Sequence, residues 1–366
     1  MTYDEFLSAL PKVDLHTHFM GSVPVEVCVE LAQQHDVKLP VDLRTLYANI
    51  NSPARPNPIY DVARIPTPVS DPEKEPNPSY PLLDVSRWVA PLFKKPGDFA
   101  VGIYAALEAA ATTSAVRYCE MFFEPTLYMA ENTAYTDVVD GLIDGLRAAQ
   151  QDHGIICRLI AGINRAQAPQ IAVDLVQTMI ANPRDEVIGI GLEDYEISGP
   201  PENFVEAYRL AKRHGLHRTA HASEHMPTAQ NVITCLDALA CERIDHGYFI
   251  LQDDDVVARC RDQGVFFTCI FTTSRRAWRP WRRASIKAMD QAGLRISLGA
   301  DDPGMFPTSL AQEYKIADEL LGWDRNKIIE VCLNGIAASW MGDQEKRAMR
   351  ETFVRDIDAL TGRLVA

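Results

Sequence analysis

His16 and His18 stand two residues apart in "KVDLHTHFM", and three later stretches carry further imidazoles and carboxylates. These are His221 and Glu224 in "RTAHASEHMP", His246 in "RIDHG", and the pair Asp301 and Asp302 in "SLGADDP". Taken singly, each histidine reads as well as a hydrogen-bonded core residue. Together, three imidazoles and a carboxylate make a borderline-hard nitrogen and oxygen donor set suited to zinc, with one position left open for water. A metal so held lowers the pKa of its water to about 7 and supplies a hydroxide-like nucleophile at neutral pH. Hydrolytic chemistry then needs one group to deliver a proton and another to orient the nucleophile, and Glu224 and His246 are chemically suited to those tasks.

Such a site requires elements that bring distant residues to one place. Eight short β-rich runs recur along the chain, at residues 12–18, 115–123, 155–163, 187–193, 216–222, 242–247, 264–271 and 294–302, separated by stretches of helical periodicity. Several are almost continuously apolar and end in small or polar residues, as parallel strands buried on both faces do. Eight β-then-α units without a GxGxxG after the first strand predict an α/β (β/α)8 TIM-type barrel of parallel strands, and one domain spanning 1–366. In that fold the active site lies at the C-terminal ends of the strands, where all the residues named above fall. Two residues apart on a strand, His16 and His18 share a face. Amphipathic stretches after residue 309 predict extra helices that cover the barrel.

The connection after the first strand is about a hundred residues long, and its Pro-rich part "NSPARPNPIYDVARIPTPVSDPEKEPNPSYP" forbids regular structure. The insertion, residues 45–95, reads as a surface excursion or as an active-site lid; its emergence at the C-terminal mouth favours the lid.

Composition narrows the partners. A net charge of −14 and a pI near 5.1 exclude a nucleic-acid surface and leave a small molecule as the natural partner. No stretch approaches the roughly 18 apolar residues that a membrane span needs. Eight cysteines without CxxC spacing read as reduced core residues, which predicts a cytoplasmic protein. The oligomeric state is left open.

The strand-end motifs, in order, resemble those of the adenosine deaminase family of amidohydrolases. "LPKVDLHTHFMGS", "HASE", "RIDHG" and "SLGADDP" are similar to its HxH, HAGE, GHG-type and TDDP motifs, and "AVRYCEMFFEP" and "VIGIGLEDYE" to its second and fourth strands. The resemblance implies one Zn2+ per chain held by His16, His18, His221 and Asp301. It implies that Glu224 protonates the ring nitrogen beside the attacked carbon, that His246 positions the zinc-bound hydroxide, and that Asp302 holds the N7 edge of a purine. The reaction implied is hydrolytic deamination of a purine or purine-like amino-heterocycle, with release of ammonia. The fourth strand ends without a lysine that could bridge a second metal, which sets the binuclear relatives aside, and no HxE with PCxxC is present.

Three departures bear on the substrate. Adenosine-specific members place an acidic residue that holds the ribose 5′-hydroxyl two positions after the second histidine; here Phe19 and Met20 follow, and a thioether cannot replace that hydrogen bond. Where the family has a glycine whose N–H meets the purine N3, "GLEDYE" has Asp194, so this carboxylate is expected to turn away or to meet a donor-bearing edge of an altered base. "CIFTTSRRAWRPWRR" replaces a CPTSN-type run. It reads either as a solvated helix start with packed tryptophans or as a mouth in which Arg275 and Trp278 bind a substrate appendage. The expectation is a zinc-dependent aminohydrolase whose substrate is not plain adenosine. Its alternatives are an ordinary adenosine or adenine deaminase with relocated sugar contacts, and a non-catalytic binding protein on the same scaffold.

Overall fold

A computed structural model describes residues 1–39, 41–51, 80–273, 279–306 and 308–364. Its eight barrel strands are β1 (Lys12–His18), β2 (Val116–Phe123), β3 (Ile156–Asn164), β4 (Val187–Glu193), β5 (His217–Ala222), β6 (Ile244–His246), β7 (Phe266–Cys269) and β8 (Arg295–Leu298). Each pairs in parallel with the next in chain order. The near-continuous burial of β2, β3 and β4 matches their apolar runs, since both faces of such strands are covered. The predicted eighth run is four residues too long. Gly299 to Asp302 leave the strand, and Asp301 takes φ +61°, a left-handed conformation that no strand interior accepts.

The barrel closes at that departure. Asp301 N–H donates to the His16 carbonyl at 2.8 Å and His18 N–H to the Asp301 carbonyl at 2.9 Å, so one parallel bridge, Thr17 with Asp301, joins β1 to the chain beyond β8. Positive φ recurs at three other polar strand ends, Asp194 (+74°), Ser223 (+52°) and His246 (+70°). Strained strand ends of this kind gather where side chains must be aimed rather than merely packed.

Helices clad the outside. Pro96–Ser114 and Tyr135–His153 lie in close backbone contact, because Gly141 and Gly145 face the carbonyls of Pro96 and Ala100. A Cβ at either glycine would sit 2.3 Å from the facing carbonyl oxygen. The predicted C-terminal helices are present as Leu310–Ile316, Arg325–Ala338 and Asp343–Thr361. Between the last two, Trp340 caps a buried ion pair. Its N–H donates to Glu120 Oε1 at 2.6 Å, Glu120 Oε2 pairs with Arg243, and the Arg243 guanidinium lies 4.1 Å from the indole centroid. Within the insertion, Ile50–Asn51 and Tyr80–Pro81 form a short parallel pair, and the helix Leu82–Val89 follows. Residues 52–79 of the Pro-rich stretch lie outside the described residues. No helix among the described residues is long and apolar enough to cross a membrane.

The Gly145 contact sets an expected outcome. Gly145→Ala drives a methyl into the Ala100 carbonyl, which the helix backbone cannot yield, and should destabilise the fold by about 1–3 kcal/mol, seen as a lower Tm in a thermal melt. An unchanged Tm would show that the two helices are not locked at this distance.

Candidate active site

At the C-terminal mouth, β1 brings His16 and His18, β5 brings His221, and the turn after β8 brings Asp301. The His16 and His221 Nε2 atoms are 3.1 Å apart, and those of His221 and His18 are 3.2 Å apart. Asp301 Oδ1 lies 3.3 Å from His18 Nε2 and 3.7 Å from His16 Nε2. Bonds of about 2.0–2.1 Å in a tetrahedron imply ligand separations of roughly 3.3 Å. These four side chains therefore have the spacing of a metal's donor set.

The outer nitrogens fit the same reading. His18 Nδ1 lies 3.1 Å from Glu193 Oε2. His16 Nδ1 lies 2.8 Å from Thr268 Oγ1, whose own proton goes to Asp245 Oδ1 at 2.8 Å. The imidazole is then the donor to the hydroxyl, and its Nε2 lone pair is left facing inward. Asp245 is held again by Thr219 Oγ1 at 2.8 Å, and stands 3.6 Å from His221 Nδ1, beyond hydrogen-bonding reach. Burial, reinforced by the neighbouring imidazoles, pushes His16 and His221 well below the ordinary histidine value, so both imidazoles are neutral. His18 goes the other way. Burial opposes its charge, but the Glu193 hydrogen bond and the Asp302, Glu193 and Asp301 carboxylates raise it to about 10.

Glu224 stands beside this cluster, buried, with Oε2 3.4 Å from His246 Nε2 and 3.1 Å from His225 Nδ1. Burial raises its pKa although Arg282 and Arg165 oppose that shift. His246, pushed down by burial and by His16, is neutral. Its Nδ1 meets Tyr248 Oη at 3.1 Å, and that hydroxyl gives its proton to the Ile270 carbonyl and accepts from Ile270 N–H. Nδ1 is then the protonated nitrogen, and Nε2 presents a lone pair towards Glu224.

The "HASE" turn is shaped by a residue to which the sequence reading assigned no role. Both oxygens of buried Glu196 accept from this loop: Ser223 N–H at 2.6 Å, Glu224 N–H at 3.0 Å, His225 and Met226 N–H at 2.9 Å, and Asn231 Nδ2 at 2.7 Å. Glu193 and Asp245 were likewise in plain view, in "GLE" and "RIDHG", but nothing local marks a carboxylate as a histidine's partner. Arg282 belongs to the anomalous run after β7. Contrary to the solvated-helix expectation, it is 2% exposed and its Nη2 lies 2.9 Å from Glu224 Oε1.

A cavity enclosing about 890 Å3, its open mouth included, extends from these groups. Phe19, Met20, Leu82, Leu83, Phe123 and Tyr128 give it an apolar wall, and Leu82 and Leu83 belong to the shoulder of the insertion. Asp302 lines it as well, lying so close over Gly21 that a Cβ there would fall 1.7 Å from its Oδ1. Asp194 lines the far side. Its Oδ1 accepts from Tyr195 N–H at 2.5 Å, and its Oδ2 lies 3.4 Å from Arg87 Nη2. Arg275 and Trp278 lie outside the described residues.

A parallel barrel with buried imidazoles and acids at its C-terminal mouth defines a metal-dependent hydrolase of the amidohydrolase type. Residues 75–356 match the family described as Adenosine deaminase. The chain belongs to that family and is a metal-dependent deaminase. It is similar to an adenine deaminase of Streptomyces coelicolor, 30% identical over 356 residues that cover 96% of each chain. Among solved structures it is similar to an amidohydrolase from Burkhoderia ambifaria with bound Zn, with TM-score 0.86 and 32% identity, covering 98% of this chain and 94% of that one. An adenine deaminase from Arthrobacter aurescens shares the fold, with TM-score 0.81 and 24% identity over 97% of this chain and all of that one.

The hydrogen bond between His18 and Glu193 generates a test. Glu193→Gln weakens the acceptor that orients His18 and should lower metal affinity by about 10–100-fold, read by competition with a chromogenic chelator. Wild-type affinity would show that the contact does not support the ligand.

Proposed function

We propose that this protein is a zinc-dependent hydrolytic deaminase of a purine or purine-like amino-heterocycle other than plain adenosine. The observation that carries the reading is the meeting of His16, His18, His221 and Asp301 at ligand spacing beside Glu224 and His246. One zinc per chain held by those four residues would polarise a water and make it nucleophilic at neutral pH. The bound zinc of the Burkhoderia ambifaria relative supports the choice of metal.

The chain's own residues do the rest. Glu224, buried and raised, holds a proton at the pH where a free carboxyl would have lost it, and delivers it to the ring nitrogen beside the attacked carbon. Protonation makes that carbon electrophilic, and ammonia leaves after attack. His246 holds the attacking oxygen through the Nε2 lone pair that Tyr248 leaves free. Asp302, pushed up by burial, presents a carboxyl to the purine N7 edge. Phe19 and Met20 form an apolar wall where a ribose acceptor would be needed, which favours a free base or a heterocycle with an apolar substituent. Eight buried free thiols suit a reducing, cytoplasmic setting.

The names of the relatives make adenine a natural member of that class, and the description of the matched family favours a second reading, adenosine itself with relocated sugar contacts. The two are separated by one panel of adenine, adenosine, 5′-substituted nucleosides and other amino-heterocycles, followed by ammonia release and loss of the amino-heterocycle absorbance. The expected result is turnover of a member without a free ribose, adenosine being slower. In Glu224→Gln that turnover should vanish while metal content stays at about one zinc per chain. Turnover that survives this substitution, or a protein that holds no zinc, would sink the reading.

A further inference from the structure

The arginine behind Glu224 is unexplained by the chemistry above. Arg282 sits in the helix Arg279–Gln291, 58 residues after Glu224, and its guanidinium is buried rather than solvated. Nη2 donates to Glu224 Oε1 at 2.9 Å, and Nη1 donates to the carbonyl of Thr273, a residue that lines the cavity. The face of the guanidinium lies 4.8 Å from the ring centroid of Tyr248, the residue that fixes the tautomer of His246. Arg282 itself does not line the cavity, whereas Glu224, His225 and His246 do. The two carboxylate oxygens therefore differ: Oε1 is turned to the protein and Oε2 is set among the cavity's histidines.

We propose that Arg282 is a positioning residue that clamps Glu224 Oε1, so that the transferable proton resides on Oε2 alone. The inference rests on the deaminase reading, in which Glu224 is the proton donor. A guanidinium has five N–H groups and no lone pair, so it bonds an oxygen that accepts and repels one that bears hydrogen. When Glu224 is ionised, Oε1 accepts from Arg282. When the proton is on Oε2, Oε1 is the carbonyl oxygen and accepts still, so the clamp holds through the transfer from Oε2 to the ring nitrogen. The stacked guanidinium also braces Tyr248, so one side chain sets the angle of the proton donor and of the imidazole opposite it. The arginine-rich run after β7, which departs from the family's pattern, thereby gains a role in the reaction rather than on the surface.

The test uses the zinc-loaded full chain and the best substrate of the panel, with Arg282→Gln and Arg282→Lys. A misplaced donor should lower kcat by about 10²-fold in Arg282→Gln with KM and bound zinc unchanged. Arg282→Lys keeps a cation but not the planar fork, and should fall between that variant and wild type. A thermal melt checks each fold, and if Arg282→Gln does not fold, Arg282→Lys alone decides. Wild-type kcat in the folded variants, or a rise in KM alone, would overturn the proposal. A wild-type chain that deaminates no amino-heterocycle would overturn the deaminase reading and this inference with it.

Discussion

The backbone hydrogen bonds that close the barrel are made by the residues that carry its chemistry. His16, His18 and Asp301 exchange N–H and carbonyl groups across the seam between β1 and the end of β8, and their side chains point together on the inner side. Closure and site assembly are thus one geometric event. A register slip of one residue in β1 would turn both histidines away from the axis and break the seam bonds at the same time. The left-handed φ at Asp301 follows from this double duty, since its backbone must serve the sheet while its carboxylate reaches the imidazoles.

Around that seam, unfavourable charges are made tolerable by pairing. Six carboxylates line the cavity: Glu124, Glu193, Asp194, Glu224, Asp301 and Asp302. Five of them lean on a partner, Asp301 on His18 among them. Glu193 faces His18, Asp194 faces Arg87, Glu224 faces Arg282, and Glu124 accepts from Asn164 Nδ2 at 2.9 Å while burial and Glu193 raise it to about 8. Where the partner is neutral, as for Glu124, burial takes the charge off the acid instead. The apolar wall of Phe19, Met20 and the insertion's shoulder then keeps water away from one side, which strengthens every contact on the other.

The sequence made the barrel and the inward ligands readable because both depend on local pattern. Apolar runs of strand length repeat eight times, and HxH, HxxE and DD sit where those runs end. Boundaries drifted most at Gly299 to Asp302, where the chain bends out of β8, and the run at 264–271 is shortened to Phe266–Cys269. Glu193, Glu196, Asp245 and Arg282 were not assigned roles for a different reason. Their meaning lies in what faces them across the barrel, 175 residues away for Glu193 and His18, and one sequence carries no mark of such pairings. Arg282 was also hidden by its company, since a run of five arginines reads as a solvated face until one of them is seen to turn inward.

The Glu196 cradle has a consequence for how this catalytic loop can vary. Four successive amides, from Ser223 to Met226, are held through their backbones by a carboxylate from another loop. Main-chain anchoring is blind to side-chain identity, so Ser223 can stand where the family usually has glycine without shifting the Glu224 backbone, whereas His225 also touches the Glu224 carboxyl. The loop behaves as a fixed rail whose backbone holds Glu224 in place while the side chains along it change.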